Sequence, residues 1–516
     1  MEVNCSLTPS TAKIFMTAIE RIPAFLPNEK QLLSGKHVEE GVMNPCGLII
    51  DGKKILTDKT FGVRNPATEE VFAHCSVASP GHLDQAVAAA QKAFTTWSGV
   101  EDAARRSIIH ALADLLEKHA DELMELLVKE NGKPLRGYGG IGAGMELGGA
   151  IAWTRAAAAL AFSIDIIQDN EEARVEVRRK PLGVVGSIPP WNWPLMIAIW
   201  HIMPALRTGN TVVIKPSSLT PLTTVRFVEL ANTILPPGVL NIVTAESGIG
   251  SAIAEHPGIN KIVFTGSTPT GKSIMRNGAI NLKRCTLELG GNDAGIVLPD
   301  IDPKEIAPKL FKVGFHNNGQ TCACLKRLYV HESVYADICG EMTAIAATVK
   351  IGNGLEEGVD FGPVQNEEQL NFVCEIARDA KQAGGRILCG GERLKRPGYF
   401  FPITLVSDIS DGTRLVDEEQ FGPILPIIKY SNVEDAIQRA NSSRYGLGGS
   451  IWSDDLKKAK SLAGRLECGT AWVNDHGAIQ PDAPFGGVKE SGYGVEFGNY
   501  GLEEYTSIQT LKIAKK

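Results

Sequence analysis

Cys322 closes the run Asn317-Asn318-Gly319-Gln320-Thr321-Cys322, and Glu288 stands upstream in Leu287-Glu288-Leu289-Gly290-Gly291. A thiol is a useful nucleophile only as thiolate, and a free cysteine ionises near pH ~8.5. A carboxylate fixed within reach of such a sulfur can activate the water that later cleaves a covalent thioester. Asn192, in Pro189-Pro190-Trp191-Asn192-Trp193-Pro194, is a third candidate, because an amide at a strand end can donate to a developing oxyanion. Each has a bland reading. Cys322 is one of ten cysteines, and an isolated cysteine is usually buried and inert. An isolated Asn usually caps a helix or makes a turn.

Two glycine-rich strings suggest phosphate chemistry instead. Gly266-Ser267-Thr268-Pro269-Thr270-Gly271-Lys272-Ser273 satisfies GxxxxGK[ST] after a strand, where Lys272 would reach a terminal phosphate in a nucleoside triphosphatase. Pro269 removes an amide donor from the middle of that cradle. Gly137-Tyr138-Gly139-Gly140-Ile141-Gly142 fits GxGxxG but follows a helix stop, so a flexible loop is expected there.

The elements that must position these residues form an α/β pattern. From Gly183, short β-branched runs (Val184-Val185, Thr211–Ile214, Asn241–Val243, Lys261–Phe264) alternate with helical stretches such as Pro221 to Leu235 and Ile249 to His256. That rhythm predicts a doubly wound parallel sheet covered on both faces. A second alternation begins near Ala294–Leu298 and runs to about residue 490. Helical periodicity covers Asp84 to Trp97 and Glu101 to Glu130, ending at Asn131-Gly132-Lys133-Pro134. Arg174 to Arg179 alternates charge and valine like a two-faced exposed strand, which could pair with Tyr505 to Ile513 in an intersubunit sheet.

Composition narrows the function classes. The 516 residues allow two or three domains, and 43% hydrophobic with 22% charged residues is ordinary for a soluble globular protein. A net charge of -7 gives no case for nucleic acid or an anionic membrane. Apolar runs are broken by charge or proline, so no membrane span is expected. The cysteines show neither a disulfide framework nor zinc-ligand spacing, so a reducing, cytoplasmic setting and no metal are expected.

Taken together these motifs resemble those of the NAD(P)-dependent, non-acylating aldehyde dehydrogenases, over about residues 47–513. The resemblance implies Cys322 as nucleophile, Glu288 as general base and Asn192 as oxyanion donor. It implies that NAD or NADP meets Ile188, Pro190, Trp191, Lys215, Ser218, Phe264, Thr265, Gly266, Ser267, Leu289, Glu419 and Phe421. Trp193, Trp200 and Phe485 would line the substrate tunnel, which suits an aromatic or medium-chain apolar aldehyde. It also implies a homodimer or homotetramer, and these domains: an N-terminal extension of unknown role (1–46), a cofactor-binding domain (47–162 and 182–289), a catalytic domain (290–490), and an oligomerisation arm with a C-terminal segment (163–181 and 491–516).

This chain departs from the family at several points. Ser218 replaces a frequent glutamate that repels a 2′-phosphate, so NADP is admitted. Glu246 either supplies that missing carboxylate or is simply solvated. His201 stands where many relatives carry a lysine of a proposed proton relay, and Val495 where arginine is frequent. The alternatives are an acylating, coenzyme A-dependent relative, which Glu288 argues against, and the triphosphatase reading of Gly266–Ser273.

Overall fold

The computed structural model of the chain describes residues 45–161 and 163–515. The expected extension lies outside the described residues, apart from Pro45 and Cys46, as does Phe162 at an expected domain boundary. Two large sheets dominate. The first runs, in spatial order, Lys53–Ile55, Leu48–Ile50, Leu240–Ile242, Thr211–Ile214, Val184–Ile188, Lys261–Thr265, Arg284–Glu288, Gly492–Tyr493. Its five central strands are parallel and its edge pairings antiparallel. Four of those five are buried at every position, as helix-covered parallel strands are.

From Val184–Ile188 the chain builds outward through Thr211–Ile214 to Leu240–Ile242, then returns to lay Lys261–Thr265 on the other side. A crevice therefore opens beyond the carboxyl ends of Val184–Ile188 and Lys261–Thr265, where sheets of this kind bind ligands. The second sheet has the order Arg386–Cys389, Thr404–Ser407, Ile424–Tyr430, Leu325–His331, Asp293–Val297, Gly448–Trp452, Thr470–Val473 and is parallel except at its first pair. Asp293–Val297, in this second sheet, begins only a few residues after Glu288 ends its strand in the first.

A third sheet stands apart. Ala173–Pro181 pairs antiparallel with Thr506–Ala514 over nine positions and with Asp165–Asp169 on its other side. This is the pairing that the alternating charge pattern suggests. Gly492–Tyr493, in contrast, joins the first sheet beside Leu287 and Glu288.

Two expectations are corrected. The periodicity over Glu101 to Glu130 predicts one helix, but Asp102–Lys118 and Ala120–Asn131 are separate, with the break at His119. The imidazole of His119 there bonds Glu122 at 3.2 Å. The Gly137–Gly142 string is a packed turn rather than a flexible loop. A Cβ on Gly137 would stand 2.0 Å from the Ile141 carbonyl, and Tyr138 stacks on Phe361 with ring centroids 5.6 Å apart.

Candidate active site

The loop before Cys322 is shaped by its own sequence. Asn317, Asn318 and Gly319 all have positive φ, at 52°, 60° and 73°, a region that Asn and Gly enter at least cost. Gly319 is obligatory for a second reason: a Cβ there would meet the Gly422 carbonyl at 2.1 Å. The tight turn thus seats the cysteine loop directly on the loop that carries Glu419 and Phe421. Cys322 remains partly exposed, while Cys324 beside it is buried.

Glu288 ends the strand Arg284–Glu288, paired with Thr265 in register. It is buried, and neither carboxylate oxygen has a hydrogen-bond partner among the described residues. Burial, then the nearby charge of Glu496, raises its pKa well above the usual carboxylate value. Its charge also acts on Cys322, and Gly291, just beyond it, packs so closely on the cysteine loop that a Cβ there would stand 2.7 Å from the Cys322 carbonyl. Burial pushes the Cys322 thiol up to about 12; Lys326 opposes this, while Glu288, Glu419 and Asp293 add to it.

Asn192 is held from several sides. Its side-chain amide donates to the Gln320 carbonyl at 2.9 Å, inside the cysteine loop. Its own carbonyl accepts from Lys133 Nζ at 2.8 Å, Asn317 Nδ2 at 3.0 Å and Asn131 Nδ2 at 3.3 Å. Lys133 is itself paired with Glu146 at 2.5 Å, both side chains buried, and it lies 3.6 Å from the centroid of the Trp193 ring. Glu146 Oε1 accepts from the Leu195 and Met196 N–H groups that open the helix Pro194–Arg207. Removing one partner of such a pair costs about 3–5 kcal/mol, since the other charge stays buried and unpaired.

Sequence reasoning passed over Lys133 and Glu146. The available signal was Glu146 itself, a charge within the apolar helix Ala143–Ala159, where a buried carboxylate demands a partner.

A polar group also lies behind Glu288. Glu496, buried, is 3.4 Å from His201 Nε2. His201 in turn meets Ser187 Oγ at 3.0 Å and Thr265 Oγ1 at 3.1 Å. Burial, with Lys261 adding to it, lowers the His201 pKa to about 3, so the ring is neutral and its contact with Glu496 is no ion pair. Glu496 is raised to about 8 by burial, with Lys261 opposing.

The residues expected to meet the cofactor fall at or near strand ends of the first sheet and on the loop that carries Glu419. Ile188 ends one strand and the Pro190–Trp191 turn follows it; Phe264 and Thr265 end the neighbouring strand, with Gly266 and Ser267 after them; Leu289 follows Glu288. Lys215 and Ser218 follow Thr211–Ile214. Burial lowers the Lys215 pKa to about 8. Glu419 accepts from the Gly291 N–H at 3.0 Å, and Phe421 meets Trp191 edge-on at 5.3 Å. A sunken lysine, a carboxylate and an aromatic edge at the switch point fit a dinucleotide. Glu246 is exposed. Lys272 pairs with Glu490 at 2.8 Å, which ties it to protein rather than to a phosphate cradle.

Trp193, Trp200 and Phe485 belong to one buried cluster with Met196, Trp472 and Phe497, and Cys322 packs against it. Trp200 meets Phe497 edge-on at 4.7 Å, and Phe485 stacks on Phe497 at 6.1 Å. Trp193 has a further tie, its indole N–H donating to Thr321 Oγ1 at 3.0 Å.

Comparison with known proteins gives the family. The model of the aldehyde dehydrogenase family matches residues 55–511. Phenylacetaldehyde dehydrogenase from Pseudomonas fluorescens is 39% identical over 491 residues, covering 92% of this chain and 97% of that protein. Human retinaldehyde dehydrogenase 3 is 37% identical over 504 residues, 96% of each. Among solved structures, the NAD+ complex of an aldehyde dehydrogenase from Bacillus cereus superposes with a TM-score of 0.88 at 34% identity, covering 100% of both chains. Among the described residues, no helix is long and apolar enough to cross a membrane. The chain belongs to the aldehyde dehydrogenase family and is an oxidoreductase that works with NAD or NADP.

Proposed function

We propose that this enzyme oxidises aromatic or medium-chain apolar aldehydes to carboxylic acids through a thioester on Cys322. What supports the reading is that the Asn192 amide bonds the cysteine loop, that the segment just after buried Glu288 packs on the Cys322 carbonyl, and that Cys322 packs against one aromatic wall. The Cys322 thiolate attacks the aldehyde carbon, and the resulting oxyanion takes hydrogen bonds from the Asn192 amide and the Cys322 N–H. When bound, a nicotinamide would supply the hydride acceptor needed to turn the thiohemiacetal on Cys322 into a thioester. Glu288, with two unpartnered oxygens, then takes a proton from water, whose attack releases the acid. Glu496 and neutral His201 offer the buried polar path by which that proton leaves.

In the cofactor cleft, Lys215 would hold the adenosine ribose with Ser218 beside it, and Glu419 the nicotinamide ribose with Phe421 beside it. Subunits would assemble in even number through the third sheet, where Ile166, Ile167 and Ile508 are more than half exposed. The preference of phenylacetaldehyde dehydrogenase implied by its name is consistent with the aromatic wall found here.

Substrate choice is tested by kcat/KM along a linear aldehyde series and for benzaldehyde and arylacetaldehydes, with each cofactor. Each buried methylene contributes roughly 0.8 kcal/mol, so kcat/KM should rise about threefold to fourfold per carbon over the first few members. A flat series, or acetaldehyde preferred, would show that Trp193, Trp200 and Phe485 do not face substrate.

A further inference from the structure

Lys326 is a buried cation that the chemistry above leaves unused. Its side chain is 1% exposed and lies at the start of the strand Leu325–His331. The ammonium donates to the Thr321 carbonyl at 2.9 Å and to the Cys322 carbonyl. It also stands 3.3 Å from Glu419 Oε1 and 5.8 Å from the centroid of the Phe421 ring. Glu419 is steered in addition by the Gly291 N–H, and Gln420 Nε2 donates to the Lys326 carbonyl at 2.9 Å. One ammonium therefore bonds the backbone of the cysteine and a carboxylate on the cofactor side at once.

We propose that Lys326 is a positioning residue that clamps the Cys322 loop to Glu419 and supplies the positive field in which the Cys322 thiolate forms. This rests on the assignment of Cys322 as nucleophile. The ionisable groups that act most on Cys322 are Lys326 from its own segment, Glu288 from the end of the first sheet, Glu419 from the neighbouring loop, and Asp293 from the start of the second sheet. Three of the four are acidic, and each disfavours a thiolate. Lys326 alone among them favours it, and it is close enough to hold the backbone of the residue it serves. A purely structural anchor would need the two carbonyl bonds but not the charge. Methionine removes both, whereas glutamine removes the charge and keeps amide donors for the carbonyls.

The test is the pH dependence of Cys322 alkylation by iodoacetamide in the full chain without cofactor, with the modified residue mapped by mass spectrometry. Lys326→Met and Lys326→Gln should both raise the midpoint by at least about one pH unit, a roughly tenfold loss of alkylation rate below it. Glu419→Gln removes one of the opposing acids and should move the midpoint the other way; it keeps the test decisive if either lysine variant fails to fold. A midpoint unchanged in Lys326→Gln, or one that does not fall in Glu419→Gln, overturns the proposal. The nucleophile assignment is checked separately: stoichiometric alkylation of Cys322 in the wild type should abolish turnover. Turnover surviving that modification would refute the assignment itself, whereas lost turnover with unmoved midpoints would refute only the role of Lys326.

Discussion

Replacing Asn192 with alanine removes one donor without loosening the backbone that carries it. Three donors hold the Asn192 carbonyl, from Lys133, Asn317 and Asn131, and all three survive the substitution. The Gln320 carbonyl loses its 2.9 Å partner but keeps Asn317 Nδ2 at 3.4 Å, so the cysteine loop should stay in place. The loss is then that of the donor alone, about 10²–10³ in kcat/KM, or ~2.7–4 kcal/mol of transition-state stabilisation. Asn192→Asp should be slower still. It has nearly the same shape, but its carboxylate repels the oxyanion instead of donating to it. The assay is the initial rate of reduced nicotinamide formation, with cofactor affinity measured separately by fluorescence titration. A fall of less than about fivefold in Asn192→Ala, or an aspartate variant faster than the alanine one, would refute the oxyanion role. A parallel collapse of cofactor affinity would mean that the side chain supports the cleft instead.

Two further outcomes are expected. Because the charge of Glu496 helps hold the Glu288 pKa up, Glu496→Gln should shift the acidic limb of the kcat profile to lower pH and lower its plateau as the proton path is cut; a limb that stays put or moves up would uncouple the two carboxylates. Ser218→Glu should raise the KM for NADP more than that for NAD, through like-charge repulsion of the 2′-phosphate; no detectable wild-type activity with saturating NADP would mean that another group excludes it.

Much of this site could be read from the chain because its parts sit in short local strings. Asn317-Asn318-Gly319 writes its own left-handed turn, and the apolar run Ile262-Val263-Phe264 announces a buried strand. The helix stop at Gly132 is equally local, with a φ of 90°. What could not be read is the support behind those strings. Lys133, Glu146 and Asn192 come from three separate segments, and only the fold reveals that a stop signal doubles as a buried cation. Lys326 looks like an ordinary strand lysine until its ammonium is seen turned back onto Thr321 and Cys322. The break at His119 escaped for the opposite reason: no proline or glycine marks it, and helical periodicity continues across it. The third sheet was legible as alternating charge and valine in Arg174–Arg179, although that strand, paired on both sides, is mostly half-buried rather than exposed.

The division of labour between Cys322 and Glu288 is tested most directly by rapid-mixing kinetics of reduced nicotinamide formation with an excess of aldehyde and cofactor. Cys322→Ala should bind cofactor and give neither burst nor turnover. Glu288→Gln should give a burst approaching one equivalent per active site and then stall, because the thioester forms but water is not activated. Steady turnover in Cys322→Ala, or no burst in Glu288→Gln, would contradict the account.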